Sequence, residues 1–257
     1  MSDFVRPKKY LGQHFLKDKN IANKIVESLS CNIDNIIEIG PGTGILSEIL
    51  IKKNYSNLFF IEKDKESTDF LLKNFPEQKN KIILADFLKF DTNTIFKDKF
   101  SIIGNFPYNI SSQIFFKVLE ERNNIQEIVC MIQKEVAERI ASNPGNKKYG
   151  ILSVLLQAYF DISYLFTVNE NVFFPPPKVK SAVIKFKRNK TKQLACNEEK
   201  FFKIVKTAFN QRRKTLRNAL KPLNLQSGLF TNEIFSKRAE QLNVNDFVNI
   251  TNMLEAK

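Results

Sequence analysis

The chain is poor in the side chains that hold metals or staple small folds. It has one histidine and three cysteines, Cys31, Cys130 and Cys196, and no Cys-x-x-Cys pair. A scattered, odd set of thiols argues against a disulfide framework, and the missing ligand pairs argue against a metal site. No apolar run approaches the roughly 20 residues that cross a bilayer. The opening segment, Met1 to Lys9, lacks the apolar stretch of a secretory signal, so a reduced, cytoplasmic location without a membrane partner is expected. Internal repeats are absent. Acidic residues are scarce in one place: residues 178–221 hold 2 of them against 15 basic ones, whereas residues 1–177 are balanced at 21 against 22. The formal net charge of +13 therefore sits in one short stretch. A concentrated surplus of this kind points to a polyanionic partner.

Strand-like segments alternate with helical ones through the first two-thirds of the 257 residues. Strands are expected at 35–39, 58–61, 81–85, 100–103 and 127–132, with helices over 44–53, 64–74, 111–122 and 133–141. This alternation implies an α/β fold, a mostly parallel sheet with helices on both faces. Two late strands, 161–168 and 181–187, are expected at one sheet edge, separated by Pro175-Pro176-Pro177, which cannot lie within a central strand. Arg188 to Asn197 is polar and reads as a linker. From Glu198 the pattern is helical, with breaks at Pro222 and Gly228. The expected domains are residues 1–188, a linker over 189–197, and a small helical domain over 198–257.

Three acidic or glycine-rich features fall at strand ends. After the first strand comes Gly40-Pro-Gly42-Thr-Gly44, where glycines permit a tight turn and close approach of a ligand to the backbone. Dinucleotides and S-adenosylmethionine both use this device. The G-x-G-x-G spacing departs from the dinucleotide pattern G-x-G-x-x-G and favours S-adenosylmethionine. Ligands in such sheets sit beyond the carboxyl ends of the strands. Glu62 ends the second strand, placed to accept from ribose hydroxyls. Asp86 ends the third, placed to accept from an adenine amine.

The tetrapeptide Asn105-Phe106-Pro107-Tyr108 ends the fourth strand. An adenine amine is a poor nucleophile because its lone pair is delocalised into the ring. Two acceptors outside the ring plane favour the tetrahedral geometry that attack on a methyl group requires. The Asn105 side-chain carbonyl and the Phe106 backbone carbonyl supply them, with Pro107 biasing Phe106 to an extended conformation. Tyr108 offers a ring on which an extruded base can stack. Within the basic stretch, Phe201, Phe202, Ile204, Val205, Ala208 and Phe209 recur at helical spacing. An ordered basic helix with an apolar underside is expected, and Lys203, Lys206, Arg212, Arg213, Lys214 and Arg217 are expected to meet RNA phosphates.

The motifs together resemble one family. Lys9-Tyr-Leu-Gly-Gln-His-Phe-Leu16, Glu38-Ile-Gly-Pro-Gly-Thr-Gly44, Gly104-Asn-Phe-Pro-Tyr-Asn-Ile-Ser111, Phe174-Pro-Pro-Pro-Lys-Val179 and Ala208-Phe-Asn-Gln-Arg-Arg-Lys-Thr-Leu-Arg-Asn218 are similar to the bacterial small-subunit branch of the ribosomal RNA adenine N6,N6-dimethyltransferases, the RsmA/KsgA family. The resemblance covers nearly the whole chain. It implies a Rossmann-like class I methyltransferase domain with a seven-stranded sheet, S-adenosylmethionine as cofactor and S-adenosylhomocysteine as product. It implies cofactor contacts at His14, Leu16, Gly40, Glu62, Asp86 and Asn105. His14 stands where many members carry Asn; imidazole can still donate or accept one hydrogen bond. Phe173 is implied either to face Tyr108 across the target base or to pack in the core. The implied substrate is 16S ribosomal RNA in an immature small subunit, dimethylated at two adjacent adenosines of its 3′-terminal hairpin by a monomeric enzyme. Two other readings stay open at this level: an adenine methyltransferase acting on DNA or another RNA, and a non-catalytic assembly factor on the same fold.

Overall fold

The computed structural model describes residues 4–30, 34–223 and 232–255. The break expected at Gly228 lies outside the described residues. In chain order the elements are β1 (Phe15–Leu16), α1 (Lys19–Glu27), β2 (Asn35–Ile39), α2 (Ile45–Lys52), β3 (Asn57–Glu62), α3 (Lys65–Asn74), β4 (Ile82–Leu84), β5 (Phe100–Asn105) and α4 (Ser111–Glu120). There follow β6 (Ile125–Gln133), α5 (Lys134–Ile140), α6 (Ile151–Gln157), β7 (Phe160–Val168), β8 (Phe173–Phe174), β9 (Ser181–Arg188), α7 (Glu198–Asn210), α8 (Leu216–Ala219) and α9 (Val244–Glu255). Among the described residues no helix is long and apolar enough to cross a membrane.

The main sheet has seven strands in the order β4-β3-β2-β5-β6-β9-β7. Pairing is parallel from β4 through β6, and β9 runs antiparallel to β6. The α/β reading therefore holds, and both late strands lie toward one edge. The parallel strands are near-continuous apolar runs because helices cover both faces: Ile36, Ile37, Phe60, Ile61, Ile102 and Ile103 are all buried. Helix starts follow short polar caps. Asp18 accepts from the amides of Asn20 and Ile21 at 2.8 and 3.1 Å to open α1, and Asn197 accepts from Lys200 at 3.0 Å to open α7.

The chain divides into two compact units, 1–137 with 162–188, and 138–161 with 189–257. The division at residue 188 is present as expected, but residues 138–161, expected in the first domain, join the second unit. The cause is α6, whose Leu152, Ser153, Val154, Leu155 and Leu156 are buried and which packs against α7 and α9. Its apolar residues give no sign in the sequence of which partner covers them.

A second, two-stranded sheet was not anticipated. In it β1 pairs antiparallel with β8, Phe15 opposite Phe174 and Leu16 opposite Phe173.

Candidate active site

The carboxyl ends of β2, β3, β4 and β5 open onto one cleft within the first unit. Gly40, Gly42, Glu62, Asp86, Asn105, Pro107, Tyr108 and His14 all line it.

The glycine loop turns tightly between β2 and α2. Its amides are taken internally: Gly40 donates to the Ile61 carbonyl at 2.9 Å, Gly44 to Pro41 at 2.8 Å, and Gly42 to Glu62 Oε2 at 2.9 Å. What the loop offers instead is space. At Gly40, with φ +66°, a Cβ would meet nothing nearer than Pro107 Cδ at 3.9 Å, so that face stays open to a ligand. At Gly42 a Cβ would strike the Phe15 ring at 2.9 Å. Gly44 lies outside the cleft lining; a Cβ there would press on Phe75 and Leu71, so this glycine serves the packing of the start of α2.

Glu62 is 5% exposed. Its two oxygens accept from the Gly42 amide and, at 2.8 Å, from the Asp64 amide. Burial pushes its pKa up, and these backbone amides oppose the rise. A carboxylate has about four acceptor positions, so two amides leave capacity for a diol. Glu38, directly behind the loop, is buried and accepts from Ser47 at 2.7 Å. Burial pushes its pKa up to about 8, with the Glu62 charge adding to the rise. Glu38 thereby ties β2 to α2 through Ser47, and its raised pKa favours the neutral form beside Glu62. Asp86 accepts from the Lys63 ammonium at 2.8 Å and the Leu88 amide at 3.0 Å. Partial burial raises its pKa, but these two partners outweigh it and hold the carboxylate below its usual range.

Asn105 is positioned by a glycine on one side and the N-terminal segment on the other. At Gly104 a Cβ would lie 2.4 Å from the Ile39 carbonyl, so only glycine lets β5 approach β2 here. Asn105 Nδ2 donates to the His14 carbonyl at 2.9 Å, which leaves Oδ1 as the acceptor facing outward from that bond. The Phe106 amide donates to Met131 at 3.0 Å, and its ring is buried against Phe115. Among the described residues no donor reaches either Asn105 Oδ1 or the Phe106 carbonyl. Two adjacent acceptors are thus held at the cleft with their hydrogen-bonding capacity unspent.

Tyr108 is fixed at both ends. Its hydroxyl hydrogen-bonds the buried Ser181 hydroxyl, and its ring lies 5.3 Å from the His14 ring at 31°. Burial pushes the phenol pKa up. His14 Nδ1 donates to the Pro175 carbonyl at 2.7 Å, which requires the proton on that nitrogen. The N-terminal segment is anchored further by Lys8, paired with Asp64, and by Gln13, whose Nε2 donates to Asp64 at 3.3 Å. The Lys8–Asp64–Gln13 anchor escaped sequence reasoning; the acidic alternation Glu62-x-Asp64 at a strand end was its only trace.

Two expected site residues lie in the apolar core. Phe173 is 1% exposed and packs there with Leu16, Val168 and Val183, the second of the two placements expected for it. Its neighbour Phe174 is the exposed ring of β8, at 43%. Leu16 is likewise buried in the core and outside the cleft lining, so its side chain makes no part of the cleft.

In the second unit, α7 buries Phe201, Ile204, Val205, Ala208 and Phe209 and exposes Lys203 and Lys206. Arg212, Arg213 and Lys214 in the turn that follows, and Arg217 in α8, are exposed as well. Arg212 differs from the others: its guanidinium donates to the carbonyls of Lys147 and Tyr149 at 2.6 and 2.8 Å. It fastens the turn after α7 to the segment before α6.

Residues 5–256 match the family described as "Ribosomal RNA adenine dimethylase". The ribosomal RNA small subunit methyltransferase A of Cytophaga hutchinsonii is 55% identical over 255 residues, covering 98% of this chain and 99% of the relative. That of Flavobacterium johnsoniae is 56% identical over 254 residues, covering 98% and 97%. A dimethyladenosine transferase from Plasmodium falciparum has a similar structure, with a TM-score of 0.77 and 26% identity over 92% of this chain and 96% of that one. The 23S rRNA methyltransferase ErmE shares the fold, with a TM-score of 0.71 at 22% identity over 94% and 99%. A glycine loop open at Gly40, an acidic strand end at Glu62 and an unspent acceptor pair at Asn105 and Phe106 agree with these matches, and the chain belongs to the ribosomal RNA adenine dimethylase family.

Proposed function

We propose that this chain dimethylates the N6 amines of two adjacent adenosines in the 3′-terminal hairpin of 16S ribosomal RNA, within an immature small subunit, as a cytoplasmic monomer. S-adenosylmethionine, when bound, supplies an electrophilic sulfonium methyl. The residues present fit it: Gly40 leaves space, Glu62 has acceptor capacity for a ribose diol, and Asp86 is an ionised acceptor at the neighbouring strand end.

The observation that carries the reading is the acceptor pair Asn105 Oδ1 and Phe106 O. Each takes one N–H of the adenine amine and draws the nitrogen toward tetrahedral geometry, freeing its lone pair for the methyl carbon. Both are held before substrate arrives, Asn105 by the His14 carbonyl and Phe106 by the Met131 carbonyl, so neither must reorganise as charge develops. Asn105 is not basic. It would orient the amine, and the surplus proton of the methylated amine would pass to solvent water. Tyr108, held by Ser181, supplies an aromatic face at the same lip. Lys203, Lys206, Arg213, Lys214 and Arg217 supply phosphate contacts in the second unit.

Methyl transfer measured on immature small subunits, naked 16S RNA and DNA tests the reading. Dimethylation of adjacent adenosines on the particle is expected, with less on naked RNA and none on DNA. Tight particle binding without any methyl transfer would replace the enzyme by an assembly factor.

A further inference from the structure

Beyond the acceptor pair stand exposed rings that the chemistry above does not use: Tyr10 in the cleft lining, and Phe174, paired in β8 with cleft-lining Phe15. The N-terminal segment that carries Tyr10 is fixed on the first unit. The Arg6 amide donates to Glu66 Oε1 at 3.1 Å, the Lys8 amide to Gln13 Oε1 at 2.8 Å, and Asn109 Nδ2 to the Tyr10 carbonyl at 3.1 Å. At Gly12, with φ +65°, a Cβ would lie 2.7 Å from Asn109 Oδ1, so the segment turns tightly against the loop after Tyr108. The backbone around Tyr10 is therefore tied down, yet Tyr10 lines the cleft with 77% of its surface exposed.

Phe4 is 51% exposed, and its ring meets exposed Phe174 edge to face at 5.7 Å and 68°. Large rings left open on a fixed backbone mark a binding surface rather than a core. Lys9, Lys178 and Lys180 are exposed nearby in the chain, and none is paired with a carboxylate among the described residues. Aromatic faces interleaved with cations suit single-stranded nucleic acid: bases stack on the rings and phosphates meet the ammonium groups. A duplex presents no free base faces.

We infer that Tyr10, together with Phe4 buttressed by Phe174, forms a stacking site for the unpaired nucleotides that flank the target adenosine. The inference rests on the adenine-methylating reading above. It gives the first unit its own hold on the substrate, separate from the basic helix.

The test uses the full chain and a labelled single-stranded RNA of roughly eight nucleotides containing two adjacent adenosines, with its duplex as control. Phe4→Leu and Tyr10→Leu keep apolar volume but remove the aromatic face. Each is expected to weaken single-strand affinity about five- to a hundredfold. Tyr10→Phe should retain wild-type affinity. Neither leucine variant should change the salt slope or the S-adenosylmethionine affinity. Undetectable binding by the wild type, leucine variants that bind as the wild type does, or an equal loss on the duplex would each overturn the site. A matching loss of S-adenosylmethionine affinity would assign the rings to the cofactor and overturn it as well. Loss of single-strand binding by the leucine variants, in a wild type that methylates nothing, would support the surface while removing the catalytic reading.

Discussion

The two compact units present opposite kinds of side chain. In the first, the groups aimed into the cleft are few, largely enclosed and held by hydrogen bonds from the protein itself. Glu62 takes two backbone amides, and Asn105 gives its own amide protons to the His14 carbonyl. In the second, the cations are long, exposed and spread along α7 and the turn that follows. The difference suits the two tasks proposed for them. A reacting amine needs acceptors that do not move as charge develops. A phosphate chain needs flexible cations, each contact modest and screened by salt.

The largest effect expected from breaking this division is at Asn105. Asn105→Ala removes one of two fixed acceptors and should slow single-turnover methylation by 10²–10³, about 2.7–4 kcal/mol, with both substrates saturating. Next is Glu62→Ala, which should weaken S-adenosylmethionine binding by roughly ten- to a hundredfold in calorimetric titration. Burial raises the Glu62 pKa, so its ionised form is the one lost on acidification. Cofactor affinity in the wild type should fall as pH drops through that raised pKa, before an ordinary carboxylate protonates. The alanine variant should lack this acid limb.

Smaller effects should separate the arginines from each other. Arg212→Ala loses two hydrogen bonds to backbone carbonyls and should lower the unfolding free energy of the chain by about 1.5 kcal/mol given its exposure, read from denaturant titration. Arg213→Ala should leave stability unchanged and reduce the salt slope of particle binding by about 1. Equal stability losses at both positions would erase the distinction between a fastening arginine and a phosphate-binding one.

How much of this was readable beforehand depends on the range of each contact. Glu62, Asp86 and Asn105 were legible because a parallel sheet gathers the carboxyl ends of its strands, so position along each strand sufficed. The apolar underside of α7 was legible because helical spacing is local. The pairing of Phe15 with Phe174 joins two-residue strands far apart in the chain, with too little pattern to register. The same pair shows why two placements stood open for Phe173: side chains alternate faces along a strand, so a slip of one residue exchanges the buried ring for the exposed one. Arg212 and Arg213 are indistinguishable in charge and spacing; only the carbonyls of Lys147 and Tyr149 separate them. The assignment of residues 138–161 to the second unit depends on what covers α6, which its own residues do not encode.

The division between chemistry and attachment is tested most directly by one paired measurement on immature small subunits. Single-turnover methylation rate and particle affinity are determined side by side for Asn105→Ala and for the double variant Arg213→Ala/Arg217→Ala. The account predicts that the first loses 10²–10³ in rate with particle affinity nearly unchanged, while the second loses affinity and salt dependence yet methylates at the wild-type rate once saturated. Wild-type methylation by Asn105→Ala, or a comparable loss of saturated rate in both variants, would contradict it.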